Sequence, residues 1–309
     1  RHLFRDAVRS GHGSANLSRA IQVSSDTFFY RAGYELGIDK THPYLAEFGL
    51  GAQTGIDLPN EYRGILPSRE WKAKRFAKAK SPSAREWMPG EMVSVSVGQG
   101  YNAYTPLQMA HATASLANDG VVYRPHLVRE ILNYNNREIT KINPVAERTI
   151  PFKRDNFEYI KNAMVKVLKP GGTGHRIGAG LAYTMGGKTG TAQVVRIQQG
   201  KSYNAAALRE QHRDHAWFIS FAPVNKPEIA IAVLLENGGW GANAAPLARS
   251  LTDFYMLNVK QNQFPPESEA WVKQATVGAQ QAKPVAPSIF QTAYQHSVTS
   301  QPTKETHND

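Results

Sequence analysis

Two short polar segments of this 309-residue chain carry side chains suited to catalysis. In one, Lys188 and Thr189 precede Gly190, and a glycine leaves a backbone edge unobstructed. A ligand can lie along that edge as an added strand, with the ammonium and hydroxyl groups binding a carboxylate. In the other, Ser24 and Asp26 present a hydroxyl and an acidic side chain that point the same way if the loop is extended.

Each segment also has an ordinary interpretation. A Lys-Thr-Gly tripeptide is usually a strand end, and a Ser-Ser-Asp triplet is usually a helix cap. Neither segment is therefore decisive alone.

Caps and hydrophobic periods predict helices around these segments. Apolar residues follow Ser24–Asp26 at helical spacing until Gly37, which places the triplet in a loop or cap just before a helix. A second helix begins at Thr105, with Pro106 in its first turn. A third starts at Asp155 and has one apolar face, formed by Phe157, Ile160, Met164 and Val167.

Two strands are predicted at Ala216–Ala222 and Ile229–Leu235, joined by a short turn. The second is nearly all apolar, which predicts a central position in its sheet. A last helix opens with Pro246 and carries the apolar residues Leu247, Leu251 and Phe254. This order predicts an α+β fold, an antiparallel sheet covered by helices on both faces.

Composition excludes several classes of protein. The absence of cysteine excludes a disulfide framework, a thiolate metal site and a cysteine nucleophile. Lys and Arg number 36 against 25 Asp and Glu, for a net charge of +11. No aromatic platform or groove-reading motif accompanies this charge, so we expect no nucleic-acid partner. The longest purely apolar stretch is far shorter than the ~20 residues of a membrane span.

The composition changes near the C-terminus. From Lys260 onward the chain is rich in Gln, Pro, Ser, Thr and Ala, which cannot bury enough apolar area to offset the entropy of ordering. We therefore expect one domain over residues 1–258 and a flexible tail over residues 259–309. The polar start at Arg1 has no initiator Met, so we expect it to lie within a longer protein whose upstream part holds an anchor.

Together and in this order, the two segments resemble the second and third motifs of penicillin-binding proteins and serine β-lactamases, which accompany a Ser-x-x-Lys nucleophile. More broadly, residues 1–258 look like the transpeptidase domain of class B penicillin-binding proteins. Six segments carry this resemblance: Asp26–Tyr30, Thr54–Pro59, Val97–Tyr101, Thr105–Met109, Lys188–Gln193 and Arg213–Phe218. The resemblance implies the fold of that family and a serine-type D,D-transpeptidase activity that needs no cofactor.

The resemblance also implies roles for individual residues. Ser24 relays a proton between the nucleophile and the leaving amine, helped by Lys188, whose ammonium also attracts the substrate carboxylate. Thr189 donates a hydrogen bond to that carboxylate, and Gly190 lets the peptide lie flat. The backbone N–H of Thr191 forms one half of the oxyanion hole.

Two features depart from the family pattern. Asp26, an expected substrate contact, stands where the motif usually has Asn, and an ionised carboxylate accepts but cannot donate a hydrogen bond. No Ser in the chain is followed by Lys three residues later. The resemblance therefore implies a nucleophile upstream of Arg1.

The implied reaction cross-links peptidoglycan stem peptides that end in D-Ala-D-Ala, and β-lactam antibiotics would acylate the same serine. The implied partners are a membrane glycosyltransferase and scaffold proteins of the cell-elongation machinery, at the periplasmic face of a bacterial inner membrane. Two alternatives stay open. One is a D,D-carboxypeptidase or β-lactamase, with water as acceptor, and the other is a non-catalytic β-lactam sensor.

Three further features have two interpretations each. Asp6 and His12 could contribute to a metal site beside Ser24, but ordinary polar loop contacts are favoured, and we expect no metal. Arg213–His215 could be hydrolytic, but an ion-pair hinge against the sheet is favoured. A basic run lies in the middle of the chain and comprises Arg69, Lys72, Lys74, Arg75, Lys78, Lys80 and Arg85. This basic run could bind an anionic partner, but a solvated face is favoured.

Overall fold

The computed structural model describes residues 4–8, 10–133, 135–195 and 208–259. Arg1–Tyr255 form one compact unit, and Met256–Asp309 form a second, of which the structure describes residues 256–259. The expected tail over residues 259–309 lies outside the described residues except for Val259, and it stays a prediction.

The described part combines eight α-helices with seven strands. The helices are α1 (Leu17–Val23), α2 (Asp26–Leu36), α3 (Ile38–Glu47), α4 (Arg69–Arg75), α5 (Glu91–Val95), α6 (Pro106–Ala117), α7 (Arg154–Val167) and α8 (Ala245–Asp253). The strands are β1 (Val121–Tyr123), β2 (Glu130–Leu132), β3 (Ile139–Lys141), β4 (Ala146–Thr149), β5 (Gly186–Ala192), β6 (His215–Ala222) and β7 (Ile229–Leu235). A π-helix follows α8 over Phe254–Val259.

The main sheet is antiparallel and has the strand order β5–β6–β7, while β1 pairs with β4 and β2 pairs with β3 in two small sheets. Lys188 on β5 lies opposite Ile219 on β6. Helices cover the sheet on both faces, and α6, α7 and α8 all pack against its strands. The predicted α+β fold is confirmed.

The prediction that Ile229–Leu235 is the central strand is wrong for the described sheet. There β6 is central, because it pairs with β5 on one side and β7 on the other. The apolar composition of β7 has another cause, since both α6 and α8 pack against it. Burial by helices gives a strand the same continuous apolar pattern as a central position.

The predicted helix starts hold to within one residue. Thr105 caps α6, and its hydroxyl oxygen accepts a hydrogen bond from the N–H of Gln108, whose side chain bonds back to the N–H of Thr105. This capping box satisfies two backbone donors that a helix start leaves without partners. Helix α7 begins at Arg154 and buries Phe157, Met164 and Val167 of its predicted face.

Helix α8 turns a different face to the core than its large apolar residues suggest. Leu247 and Leu251 are 47% and 53% exposed, whereas Ala245, Ala248 and Thr252 are buried. Small side chains let the helix approach the sheet closely, which large residues would prevent. Among the described helices, none has both the length and the hydropathy of a membrane-spanning segment.

The core that supports β5 leaves no room for side chains at its start. Phe218 and Phe221 of β6 are fully buried together with Met185 and Val167. A Cβ placed on Gly187 would lie 2.6 Å from the Phe218 ring. The glycines that open β5 therefore let the strand lie directly on the aromatic core, which fixes the position of Lys188.

Candidate active site

Ser24 lies at the junction between α1 and α2. It ends α1 in the left-handed conformation, with φ 57° and ψ 55°, and Ser25 then precedes the first turn of α2. The predicted cap or loop is therefore confirmed. The condition for Ser24 and Asp26 to point the same way, an extended loop, is not met. Ser24 is left-handed and Asp26 already begins α2, which breaks the two-residue alternation of an extended chain.

Lys188 joins the two predicted segments, which are 164 residues apart in the sequence. Its Nζ donates to Ser24 Oγ at 2.8 Å and to the carbonyl of Thr189 at 2.8 Å. Burial lowers the pKa of Lys188 to about 8, and the negative charge of Asp26 partly offsets that effect. The amine can therefore hold or release a proton near neutral pH, which suits a group that shares a hydrogen bond with a relay serine.

Asp26 lies in a second charged cluster behind this pair. Burial raises its pKa, and the nearby charge of Asp6 raises it further, while Lys188 and His12 act in the opposite direction. Burial raises the pKa of Tyr30 to about 12, with help from the two carboxylates. Asp26 thus provides a negative charge near Lys188, without a direct hydrogen bond between the two side chains.

Asp6 caps the N-terminus of α2. Its carboxylate accepts from the N–H of Thr27 at 3.2 Å and from Thr27 Oγ1 at 2.6 Å. Burial alone would raise the pKa of Asp6, but these hydrogen bonds lower it below its ordinary value. Among the described residues, no group of three or more His, Cys, Asp or Glu side chains is arranged to hold a metal ion. The contacts of Asp6 are those of a helix cap.

The hydroxyl of Thr189 has a partner that the sequence interpretation missed. Thr173 Oγ1 lies 2.7 Å from Thr189 Oγ1, and the N–H of Thr173 donates to the carbonyl of Gln22 at 3.2 Å. Thr173 therefore connects the end of α1 to β5.

The backbone around Gly190 and Thr191 is held closely on two sides. The N–H of Gly241 donates to Thr191 Oγ1 at 3.0 Å, and a Cβ on Gly241 would collide with the carbonyl oxygen of Gly190. The side chain of Gln99 donates from Nε2 to the carbonyl of Thr191 at 3.1 Å. Gln99 belongs to the segment Val97–Tyr101 that carried the family resemblance, but no role had been predicted for it.

The Arg213–His215 segment fixes strand ends through hydrogen bonds. Asp214 accepts from the N–H of Val194 at 3.1 Å, and burial raises its pKa. His215 Nδ1 accepts from the N–H of Asn237 at 2.9 Å. These contacts hold one end of the β5–β6 pair, where Ala192 lies opposite His215. They are structural contacts of the sheet, and the ion-pair hinge stays a prediction.

The basic run is only partly a solvated face. The side chain of Lys72 is buried, and its Nζ bonds both carboxylate oxygens of Glu91 at 2.6 and 2.7 Å. Arg69 forms an exposed bidentate pair with Asp39. For Lys72, the prediction of a solvated side chain is therefore wrong, because periodicity on a short helix does not reveal a half-buried carboxylate 19 residues away.

The fold and the site define a class of protein. Residues 3–253 match the family described as penicillin binding protein transpeptidase domain, and the chain belongs to that family. The chain is 44% identical over 267 residues to peptidoglycan D,D-transpeptidase MrdA of Acinetobacter baumannii, an alignment covering 86% of this chain and 38% of the relative. It is 38% identical over 268 residues to Escherichia coli MrdA, covering 86% and 41%.

Two solved structures share this fold. Pseudomonas aeruginosa PBP2 in complex with WCK 5153 has 37% identity and a TM-score of 0.68, covering 83% of this chain and 52% of that chain. PBP2 from Helicobacter pylori in complex with MreC has 33% identity and a TM-score of 0.65, covering 84% and 43%. The predicted resemblance to the transpeptidase domain of penicillin-binding proteins is confirmed, and both of these solved structures are of penicillin-binding protein 2. The chain spans about two fifths of the length of the curated relatives it matches.

Proposed function

We propose that this chain is the transpeptidase part of a peptidoglycan D,D-transpeptidase of the penicillin-binding protein 2 type. The observation that carries the proposal is the hydrogen bond from Lys188 Nζ to Ser24 Oγ at 2.8 Å, at the edge strand that also holds Thr189 and Thr191. The named relatives that match most of this chain are peptidoglycan D,D-transpeptidases. Their shared name supports the same reaction here.

Substrate binding follows from the chemistry of β5. The ammonium of Lys188 attracts the terminal carboxylate of a stem peptide, and Thr189 Oγ1 donates a hydrogen bond to it. Gly190 has no side chain to obstruct a peptide lying along the strand. Asp26 contributes negative charge behind Lys188 and favours its protonated form.

The reaction then proceeds through an acyl-enzyme. The nucleophilic serine belongs to a Ser-x-x-Lys element, which the present sequence does not contain. Its oxygen attacks the carbonyl carbon of the penultimate D-Ala, while the N–H of Thr191 stabilises the developing oxyanion. The C–N bond breaks, and Ser24 passes a proton to the leaving amine of the terminal D-Ala. An amine of a neighbouring stem peptide then takes the acyl group, and a β-lactam would acylate the same serine.

The proposal extends to partners and location. A solved structure of Helicobacter pylori PBP2 contains MreC, and a 29% identical neighbour belongs to a peptidoglycan synthase complex that coordinates polymerization and crosslinking. By analogy, we assign this protein a membrane glycosyltransferase and a scaffold protein as partners. They would meet it at the periplasmic face of a bacterial inner membrane, where its peptidoglycan substrate lies.

Labelling with a fluorescent penicillin tests the proposed function. The full-length gene product should become covalently labelled, and the Lys188→Ala variant should lose most of the label because it lacks both the carboxylate-binding charge and the partner of Ser24. Lys226, exposed in the turn between β6 and β7, provides a matched control, and Lys226→Ala should label normally. Near-normal labelling of Lys188→Ala would contradict the assignment.

A further inference from the structure

Strand β5 has one free edge in the described sheet, because it pairs only with β6. Peptide groups alternate in direction along a strand, so the carbonyls of Thr189 and Thr191 point to the same side. Both accept hydrogen bonds from side chains that lie outside β6: Thr189 from Lys188 Nζ and Thr191 from Gln99 Nε2. These two carbonyls therefore face the free edge.

The N–H and C=O of one strand residue point to the same side, because a hydrogen-bonded pair exchanges both groups. Thr191 thus presents its N–H and its carbonyl together on the free edge. A ligand that adds to this edge as a strand would use both groups, placing its own carbonyl on the N–H and its own N–H on the carbonyl. In this structure, Gln99 already occupies that carbonyl at 3.1 Å.

The position of Gln99 is set by its loop. Its N–H donates to the carbonyl of Ser94 at 3.0 Å, which anchors it to α5. Asn102 Nδ2 donates to the carbonyls of Gln99 and Val95 at 2.9 and 3.0 Å. With its backbone held at these points and its side chain half-buried, Gln99 projects its carboxamide from a braced loop.

We propose that Gln99 is a specificity-determining residue, which discriminates among acyl donors by occupying the backbone acceptor on Thr191. This inference rests on the proposed transpeptidase function. A donor with an N–H next to its reacting carbonyl must displace the carboxamide to reach the acceptor. A donor without that N–H leaves the contact between Gln99 and Thr191 in place. Gln99 therefore penalises the first class relative to the second.

Two β-lactams represent these two classes of acyl donor. Benzylpenicillin carries an acylamino N–H beside its lactam ring, and imipenem carries a hydroxyethyl group at that position. The measurement is the second-order acylation rate of the full-length gene product with each compound, expressed as the benzylpenicillin-to-imipenem ratio. Gln99→Met keeps the length of the side chain and removes the N–H donor that occupies the Thr191 carbonyl. The benzylpenicillin-to-imipenem ratio should therefore rise about fivefold, the factor that corresponds to one neutral hydrogen bond.

Further variants keep the test decisive. Gln99→Glu removes the donor with almost no change in shape and should raise the ratio in the same direction, and it replaces the methionine variant if that one fails to fold. The exposed Gln53 serves as a control, and Gln53→Met should keep the wild-type ratio. An unchanged or lower ratio in the Gln99 variants, with both rates falling together, would overturn the inference and leave Gln99 a support for β5. A wild-type protein that reacts with neither compound would instead refute the proposed function.

Discussion

Replacing Lys188 by methionine should stabilise the protein at pH 7 while abolishing its reaction with penicillin. Burial lowers the pKa of this side chain from 10.5 to about 8, and that difference corresponds to a cost of about 3 kcal/mol for keeping the ammonium charged in the folded state. Methionine removes this cost. It also removes the hydrogen bonds to Ser24 and Thr189, each worth about 1 kcal/mol. The expected net gain is about 1 kcal/mol.

The pH dependence of stability distinguishes the cost of burying the Lys188 charge from a change in packing. The pKa of Lys188 is lower in the folded state than in the unfolded state, so between pH 8 and pH 10.5 the unfolded state binds more protons. The stability of the wild type therefore rises with pH across that range, and the Lys188→Met variant lacks this rise. The advantage of the variant at pH 7 should reverse by about pH 10.

Urea unfolding at pH 7 and pH 10 measures both effects, with Lys226→Met as the control at an exposed lysine. The account predicts a variant that is more stable than wild type at pH 7 and less stable at pH 10. A Lys188→Met variant that is less stable than wild type by the same amount at pH 7 and at pH 10 would refute the reasoning. The side chain would then contribute packing and hydrogen bonds without a cost of burying its charge.

Three other substitutions probe the surroundings of the site. Glu91→Gln should destabilise the protein by about 3 kcal/mol in urea unfolding, because it leaves the buried Lys72 ammonium without its counter-charge; a loss below 1 kcal/mol would argue against a buried pair. Gly241→Ala should slow penicillin acylation at least tenfold by pushing on the backbone of β5, and a normal time course would contradict that contact. Thr173→Val should raise KM for a stem-peptide donor severalfold with little change in kcat, since it removes the hydroxyl beside Thr189, and Thr173→Ser should restore it.

Local features of the fold could be predicted from the sequence, because they depend on neighbouring residues. The starts of α2, α6 and α7 follow from caps and apolar periods over one or two turns. Which face of α8 meets the sheet, and whether β7 or β6 is central, depend on elements far away in the chain. A helical period marks an apolar face, but packing by small residues such as Ala248 overrides it.

The candidate site could be predicted only in part. Ser24 and Lys188 were paired through the family resemblance, and nothing in the local sequence indicates a contact across 164 residues. Thr173 and Gln99 were missed because their partners on β5 are 16 and 92 residues away. Such contacts form only when the sheet packs against its helices. They depend on the complete fold, and a local stretch of sequence does not reveal them.

The central claim is that this protein transfers an acyl group from a stem peptide to an amine. The most direct measurement incubates the full-length gene product with a stem pentapeptide ending in D-Ala-D-Ala and an amine acceptor, and follows the products by mass spectrometry. The account predicts release of the terminal D-Ala together with an amide-linked product that outweighs the hydrolysed tetrapeptide, and loss of both in Lys188→Ala. Hydrolysed tetrapeptide alone, whatever the acceptor concentration, would show a carboxypeptidase and contradict the claim.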